Sequence, residues 1–261
     1  MTRAGQELEH MSQELKGKTA LITGAARRIG RETALALADQ GINIIVHFNR
    51  SDSEARQLAQ RLQERGVKAW TIQADFRRPD EYKTLIERSR ELAGGLDILI
   101  NSASIFPSEK LGELTWSSLS TNMEVNAWVP FVLSRAFAQE IRRGKIVNLH
   151  DSRLKGYDWT HVGYILSKHV LAAMTRMMAL EFAPDITVNA VAPGLILPPP
   201  GKDESYLQSL AHTVPLQRHG EPTDIADAVA FLIRSNFITG EVIFVDGGRH
   251  LHEYTNGSHP H

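Results

Sequence analysis

Short apolar runs alternating with longer amphipathic stretches constrain this chain more than any other feature. Runs of strand length fall at residues 19–23, 42–46, 67–72, 96–100, 145–149, 187–191 and 241–245. Between them, helical apolar spacing covers residues 29–40, 52–65, 79–93, 117–143, 161–182 and 222–234, with Gly24, Gly41 and Gly66 marking ends of elements. Strands of this kind separated by helices of twelve or more residues imply βαβ units and a parallel sheet covered on both faces. The expectation is one doubly wound α/β domain built on a seven-stranded parallel sheet. No composition break divides it, so the domain is set at 17–251, with a polar extension at 1–16 and a tail at 252–261.

Composition enters by exclusion. The absence of cysteine rules out thiol catalysis, disulfides and zinc–thiolate sites, so no metal centre is expected and a reducing cytoplasm fits. Lys plus Arg is 29 against 30 for Asp plus Glu, a formal charge of −1, without the basic stripe of a nucleic-acid binder. No run approaches eighteen apolar residues, so no membrane span is expected, and the polar N-terminus carries no apolar core of a signal peptide.

Two segments interrupt the rhythm. Residues 103–116 follow the fourth strand and residues 192–215, with Pro193-Gly194 and Pro198-Pro-Pro200, follow the sixth. Both leave the carboxyl ends of strands, where open α/β sheets bind ligands. The second is read as an irregular substrate loop, a lid or a linker.

Thr23-Gly-Ala-Ala-Arg-Arg-Ile-Gly30 stands where the first strand turns into the first helix. Gly24 suits a tight turn and Gly30 close helix–strand packing, so N–H groups at the helix start are placed to hold a pyrophosphate. Arg28 replaces the middle glycine of the usual dinucleotide fingerprint. The second strand runs out into His47-Phe-Asn-Arg-Ser51 with no carboxylate before Asp52. A carboxylate there would bond a ribose hydroxyl; the fork of Arg50, with Ser51 beside the next helix start, favours a 2′-phosphate and hence NADPH. The bland reading of Arg50 is a solvated surface charge.

Tyr164 and Lys168, four apart, share one helix face. An ammonium beside a phenol stabilises the phenolate, which would let Tyr164 exchange a proton near neutral pH rather than near 10. The same spacing also describes an ordinary solvated pair.

These motifs, in this order, resemble the short-chain dehydrogenase/reductase family from about residue 16 to 251. They are the glycine turn, Ala74-Asp75, Asn101-Ser-Ala-Ser104, Asn126, Tyr164 with Lys168, Asn189-Ala-Val-Ala-Pro-Gly194, Ile238-Thr-Gly240 and Val245-Asp-Gly-Gly248. The resemblance implies a Rossmann-type fold and a commonly homotetrameric assembly. It implies an NADPH/NADP+ site lined by Gly24, Arg28, Ile29, Gly30, His47, Asn49, Arg50, Ser51, Asp75, Phe76, Asn101, Ser102, Ala103, Ser104, Pro193 and Gly194. Lys168 would reach the nicotinamide ribose, and Asn126 would hold a relay water.

The family's usual serine, thirteen residues before the tyrosine, is here Asp151. A carboxylate repels a developing oxyanion, but it suits a pterin, whose ring N–H and NH₂ form a donor edge for two hydrogen bonds. Within the family the chain is similar to the pteridine reductases and the dihydromonapterin and dihydrofolate reductases. The matching residues are Arg28, His47 to Ser51, Ser104 with Phe106, Asp151 with Tyr164, Gly194-Leu195 and Asp246-Gly-Gly-Arg-His-Leu251. That likeness implies that Arg28, Ser104, Phe106, Asp151, Tyr164 and Leu195 contact the pterin, Phe106 by stacking. Phe106 as core and Asp151 as a turn-capping carboxylate are the bland readings. Asn101-Ser102 departs from the paired asparagines of the subgroup. The function expected is hydride transfer from NADPH to a C=N bond of a pterin. A carbonyl reductase acting on a 3-oxoacyl thioester or a sugar ketone, and a non-catalytic NADP(H)-sensing protein, are the alternatives.

Overall fold

A period-2 alternation of large apolar side chains builds the sheet. Ala20 and Ile22 of β1 (Thr19–Ile22) face one core and Leu21 the other, and Ile44 and Val46 of β2 (Asn43–Phe48) oppose Ile45 in the same way. The structure, a computed structural model, describes residues 15–155, 158–199 and 201–252. Most of the polar extension (1–14) and the tail (253–261) lie outside the described residues.

Among the described residues seven strands form one sheet, completed by β3 (Ala69–Gln73), β4 (Ile98–Asn101), β5 (Gly144–Leu149), β6 (Ile186–Pro193) and β7 (Val242–Val245). All neighbours run parallel in the order β3-β2-β1-β4-β5-β6-β7. The order reverses between β1 and β4, which opens a crevice at their carboxyl ends.

Helices α1 (Arg28–Ala38) and α2 (Asp52–Gln63) pack on one face, joined later in the chain by α9 (Pro222–Arg234). The opposite face carries α3 (Pro79–Tyr82), α4 (Leu85–Ala93), α5 (Trp116–Met123), α6 (Val129–Glu140) and α7 (Val162–Glu181), around Leu99, Phe137, Ile146 and Val188. Local chemistry sets the helix ends. Asp52 and Glu54 sit in the first turn of α2, where the helix dipole favours negative charge, and α9 opens on Pro222 with Glu221 and Asp224 forming a capping box.

Three expectations change. The stretch 117–143 is not one helix: a π turn, Glu124–Trp128, separates α5 from α6. Pro130 supplies the reason, because the α-helical donor for the Asn126 carbonyl is the N–H of residue 130, which proline lacks. The stretch 79–93 breaks at Thr84, whose hydroxyl donates back to the carbonyls of Asp80 and Glu81. The segment 192–215 is not irregular throughout. β6 runs on to Pro193, and Asp203 caps α8 (Glu204–Leu210) by accepting from Ser205 N at 3.0 Å. Leu195, Leu207 and Val214 then close a small core of their own.

Candidate active site

The glycine turn is held from three strands at once. Thr23 N donates to the Ile100 carbonyl, and Thr23 Oγ1 accepts from Ser102 N at 2.9 Å and Ala103 N at 3.0 Å, binding the end of β1 to the loop after β4. The turn is tight: a Cβ on Gly30 would come within 2.7 Å of the Gly24 carbonyl oxygen, and one on Gly24 within 3.0 Å of Ala103 Cα. This concavity at the start of α1 has the shape and polarity for a pyrophosphate. Arg28, in the middle-glycine position, adopts φ +57°, left-handed backbone that glycine would take freely and arginine takes at a cost of about 1–2 kcal/mol. Its guanidinium donates to the Pro198 carbonyl at 3.0 Å and so reaches the loop beyond β6. Ile29 follows half-buried against the first core.

Several residues expected at the cofactor have side chains held within the fold. β2 extends two residues further than its apolar run, so His47 is a strand residue, 2 % exposed. Its Nδ1 accepts from Gly24 N at 3.0 Å, its Nε2 lies 3.1 Å from the Ala74 carbonyl, and its ring stacks on buried Phe76 at 4.7 Å. Burial lowers its pKa to about 4 against a bond to Ala74 that raises it, and the Arg88 charge lowers it further. The side chains of His47 and Phe76 therefore support the turn from behind. Asn101 is likewise buried, its amide donating to Asn148 Oδ1 at 2.8 Å and Ser134 Oγ at 3.1 Å. Its own Oδ1 has no partner among the described residues.

Other predicted residues lie at or beyond the carboxyl ends of the strands and keep access to solvent. Arg50 and Ser104 are exposed, and Asn49, Ser51, Ser102, Ala103, Pro193 and Gly194 are half-buried. Asp75 receives the Arg77 guanidinium and, from Asn49, a side-chain bond; Arg77 is the main cause that brings its pKa to about 2. Gly194 abuts Asp246, whose Cα would lie 2.5 Å from a Cβ there. Leu195 is buried in the small core with Leu207, an anchor of the loop rather than an open contact.

The chemistry gathers where β5 ends and α7 begins. The Tyr164 hydroxyl donates to Asp151 Oδ2 at 2.9 Å. Lys168 Nζ donates to the Leu149 carbonyl at 2.6 Å and lies 5.6 Å from the centre of the Tyr164 ring. Asn126 braces the opposite wall: its Oδ1 accepts from Ser104 Oγ and Ile105 N, and its Nδ2 donates to the Ile105 carbonyl and Ser167 Oγ. Its side chain is thus fully used within the chain.

The expected electrostatics need correction. Burial, and then the charge of Asp151, raise the pKa of Tyr164 well above its ordinary value; the Arg153 charge pulls against them. Tyr164 is a neutral phenol here, a donor. Lys168 is the group brought toward neutrality: burial lowers it to about 8, with Asp151 opposing.

Arg153 is the residue that sequence reading missed. Its backbone N and Nε donate to Asp151 Oδ1, both at 2.9 Å, and its Nη2 to Oδ2 at 3.0 Å. Its Nη1 bonds Asp158, which also accepts from Thr160 N and Oγ1 and pairs with His161 Nδ1 at 2.9 Å. Burial opposes the guanidinium charge, but Asp151 and Asp158 outweigh it and keep the pKa above the usual arginine value. Phe106 is 39 % exposed, stacked on His161 at 3.8 Å and edge-on to Tyr164 at 4.6 Å, with Arg153 Cζ 5.3 Å from its centre. Part of its π surface is thus already taken within the chain. Asp-Ser-Arg at 151–153 carried a usable signal, since an Asp carboxylate readily accepts from the backbone two residues on. Among the described residues no cluster of three or more His, Cys, Asp or Glu is arranged to hold a metal, and no helix is long and apolar enough to cross a membrane.

Comparison with known proteins agrees with this geometry. Residues 24–250 match the family described as enoyl-(acyl carrier protein) reductase. The 3-oxoacyl-[acyl-carrier-protein] reductase FabG of Staphylococcus epidermidis is 34% identical over 244 residues, 90% of this chain and 99% of that protein. The short chain dehydrogenase mdpC of Emericella nidulans is 33% identical over 258 residues, covering 92% and 97%. Among solved structures, FolM alternative dihydrofolate reductase 1 from Brucella canis, complexed with NADP, superposes with a TM-score of 0.87 at 31% identity, over 94% of this chain and 97% of that one. A blue fluorescent protein from a metagenomic library, in complex with NADPH, gives 0.83 at 33% identity, over 90% and 98%. With the fold, the glycine turn and the Tyr164–Lys168 pair in place, the chain belongs to the short-chain dehydrogenase/reductase family.

Proposed function

We propose that this protein is an NADPH-dependent reductase of a pterin C=N bond. The observation that carries the reading is the Tyr164 hydroxyl donating to Asp151 at 2.9 Å beside the partly open ring of Phe106. A proton donor, a double acceptor and an aromatic platform are the groups a flat, donor-edged heterocycle requires. The residues fit a dinucleotide: a cradle that a Cβ on Gly24 or Gly30 would fill, a helix start aimed at it, and exposed Arg50 with no carboxylate at the end of β2. When bound there, NADPH would supply the hydride. Tyr164 gives its proton to the ring nitrogen, as general acid. The Lys168 charge, 5.6 Å from the centre of the Tyr164 ring, then stabilises the phenolate, and Asp151 orients the donor edge. The likeness to the Brucella alternative dihydrofolate reductase supports this choice.

A second reading, reduction of a 3-oxoacyl thioester, is favoured by the FabG relatives and by Arg153, whose charge cancels that of Asp151 where an oxyanion would form. Rates of NADPH oxidation with dihydrobiopterin, dihydromonapterin, dihydrofolate and a 3-oxoacyl ester separate the two. Pterin turnover is expected; turnover of the ester alone overturns the pterin reading. In the same proposal the assembly is a homotetramer in the cytoplasm, with exposed Trp128 beside α6 and exposed Met177 and Leu180 on α7 covered by neighbouring copies. A mass of four chains by light scattering is the expected result, and a monomer would refute it.

A further inference from the structure

We propose that Arg153 is a positioning residue that decides how the Asp151 carboxylate is used, and with it which substrate class the site favours. The inference rests on the placement of substrate beside Asp151 and Tyr164 and goes beyond it. A carboxylate offers about four lone-pair directions. Asp151 has four donors: Arg153 N and Nε on Oδ1, Arg153 Nη2 and Tyr164 Oη on Oδ2. A donor edge arriving at this carboxylate must therefore displace the guanidinium fork. The fork has somewhere to stay. Nη1 is already bonded to Asp158, itself fixed by Thr160 and His161, and Cζ lies over Phe106. Arg153 can thus pivot on Asp158 without becoming a buried, unpaired cation.

The two positions suit two chemistries. With the fork on Asp151, Tyr164 works beside a neutralised pair, and a carbonyl oxygen gaining negative charge meets no bare anion. With the fork displaced, the carboxylate accepts N–H donors. An arginine holding two carboxylates, 23 % exposed on its side chain, is also what a purely structural cross-link would look like. The test must separate these roles.

Steady-state kinetics of Arg153→Met, Arg153→Lys and the double variant Arg153→Met/Asp151→Asn, with a dihydropterin and a 3-oxoacyl ester, do so. In Arg153→Met the pterin KM should fall about fivefold with kcat little changed, because the competing hydrogen bonds are gone. Its ester kcat should fall about tenfold, because the carboxylate is no longer neutralised. The double variant should recover most of the ester kcat, and Arg153→Lys, which keeps the charge without the fork, should lose little of it. Loss of kcat/KM on both substrates together, or no recovery in the double variant, overturns the proposal in favour of a structural cross-link. Should Arg153→Met fail to fold, Arg153→Lys decides: an ester kcat reduced tenfold despite the retained charge sinks the argument. If the wild-type protein reduces no pterin, the functional reading fails, and the ester arm with its recovery still decides the role of Arg153. If it reduces only pterins, the KM shift decides.

Discussion

His47 couples acid stability to the turn that would hold the cofactor. Folding moves its pKa from 6.5 to about 4, chiefly through burial. Between those values the unfolded chain binds a proton that the native state refuses, so stability rises with pH across that window and is lost as pH falls through it. At 1.36 kcal/mol per unit, the full shift corresponds to about 3 kcal/mol, of which roughly 2 kcal/mol is lost by pH 5. The proton would go to Nδ1, the atom that accepts from Gly24 N, so the protonated state cannot keep the glycine turn as it is. Urea unfolding of the wild type and of His47→Asn at pH 7.5 and pH 5 measures this. The variant loses the ring stacked on Phe76 and starts less stable, but its drop between the two pH values should be smaller by roughly 2 kcal/mol. His150, also buried with a lowered pKa, acts in both proteins and cancels. Equal pH dependence in the two would refute the reasoning.

Three further outcomes follow from the site. Tyr164→Phe should lower kcat by about 10²–10⁴-fold, the worth of a positioned proton donor, while fluorescence titration shows NADPH binding retained. Since Lys168 loses its charge above about pH 8 and Tyr164 stays protonated well beyond, kcat/KM should fall on an alkaline limb near pH 8; a limb near 10 would contradict this. Gly194→Ala would drive a methyl to within 2.5 Å of the Asp246 backbone, costing about 1–3 kcal/mol of overpacking by chemical denaturation.

The strands and their alternation with helices were legible because burial on both faces leaves apolar runs with little ambiguity. The helical boundaries were less so. Periodicity ran through 117–143 without a break, while the break comes from one missing N–H at Pro130, a covalent fact that hydrophobic spacing does not register. Asp151 and Tyr164 were brought together as the family resemblance implied. Arg153 was not foreseen because its link to Asp151 and Asp158 is made by a short 3-10 turn, Ser152–Lys155, whose side-chain directions follow neither the period of a helix nor that of a strand. The tuning of Tyr164 was misjudged for a related reason. The sequence shows the cation four residues away on its own helix, whereas the charge that acts on the phenol most strongly in its favour comes from the preceding loop.

The amide link between Asn101 and Asn148 has a consequence for how the site is assembled. The two residues are direct partners in the ladder between β4 and β5, and Asn148 Nδ2 continues the chain of bonds to Thr175 Oγ1 on α7. A slip of one residue between these strands would turn one asparagine to the opposite face and strand its buried amide without a partner. The polar pair therefore works as a ratchet stop on strand alignment. The distance between the loop after β4, with Ser102 and Ser104, and the segment after β5, with Asp151, is thus set inside the sheet rather than by either loop.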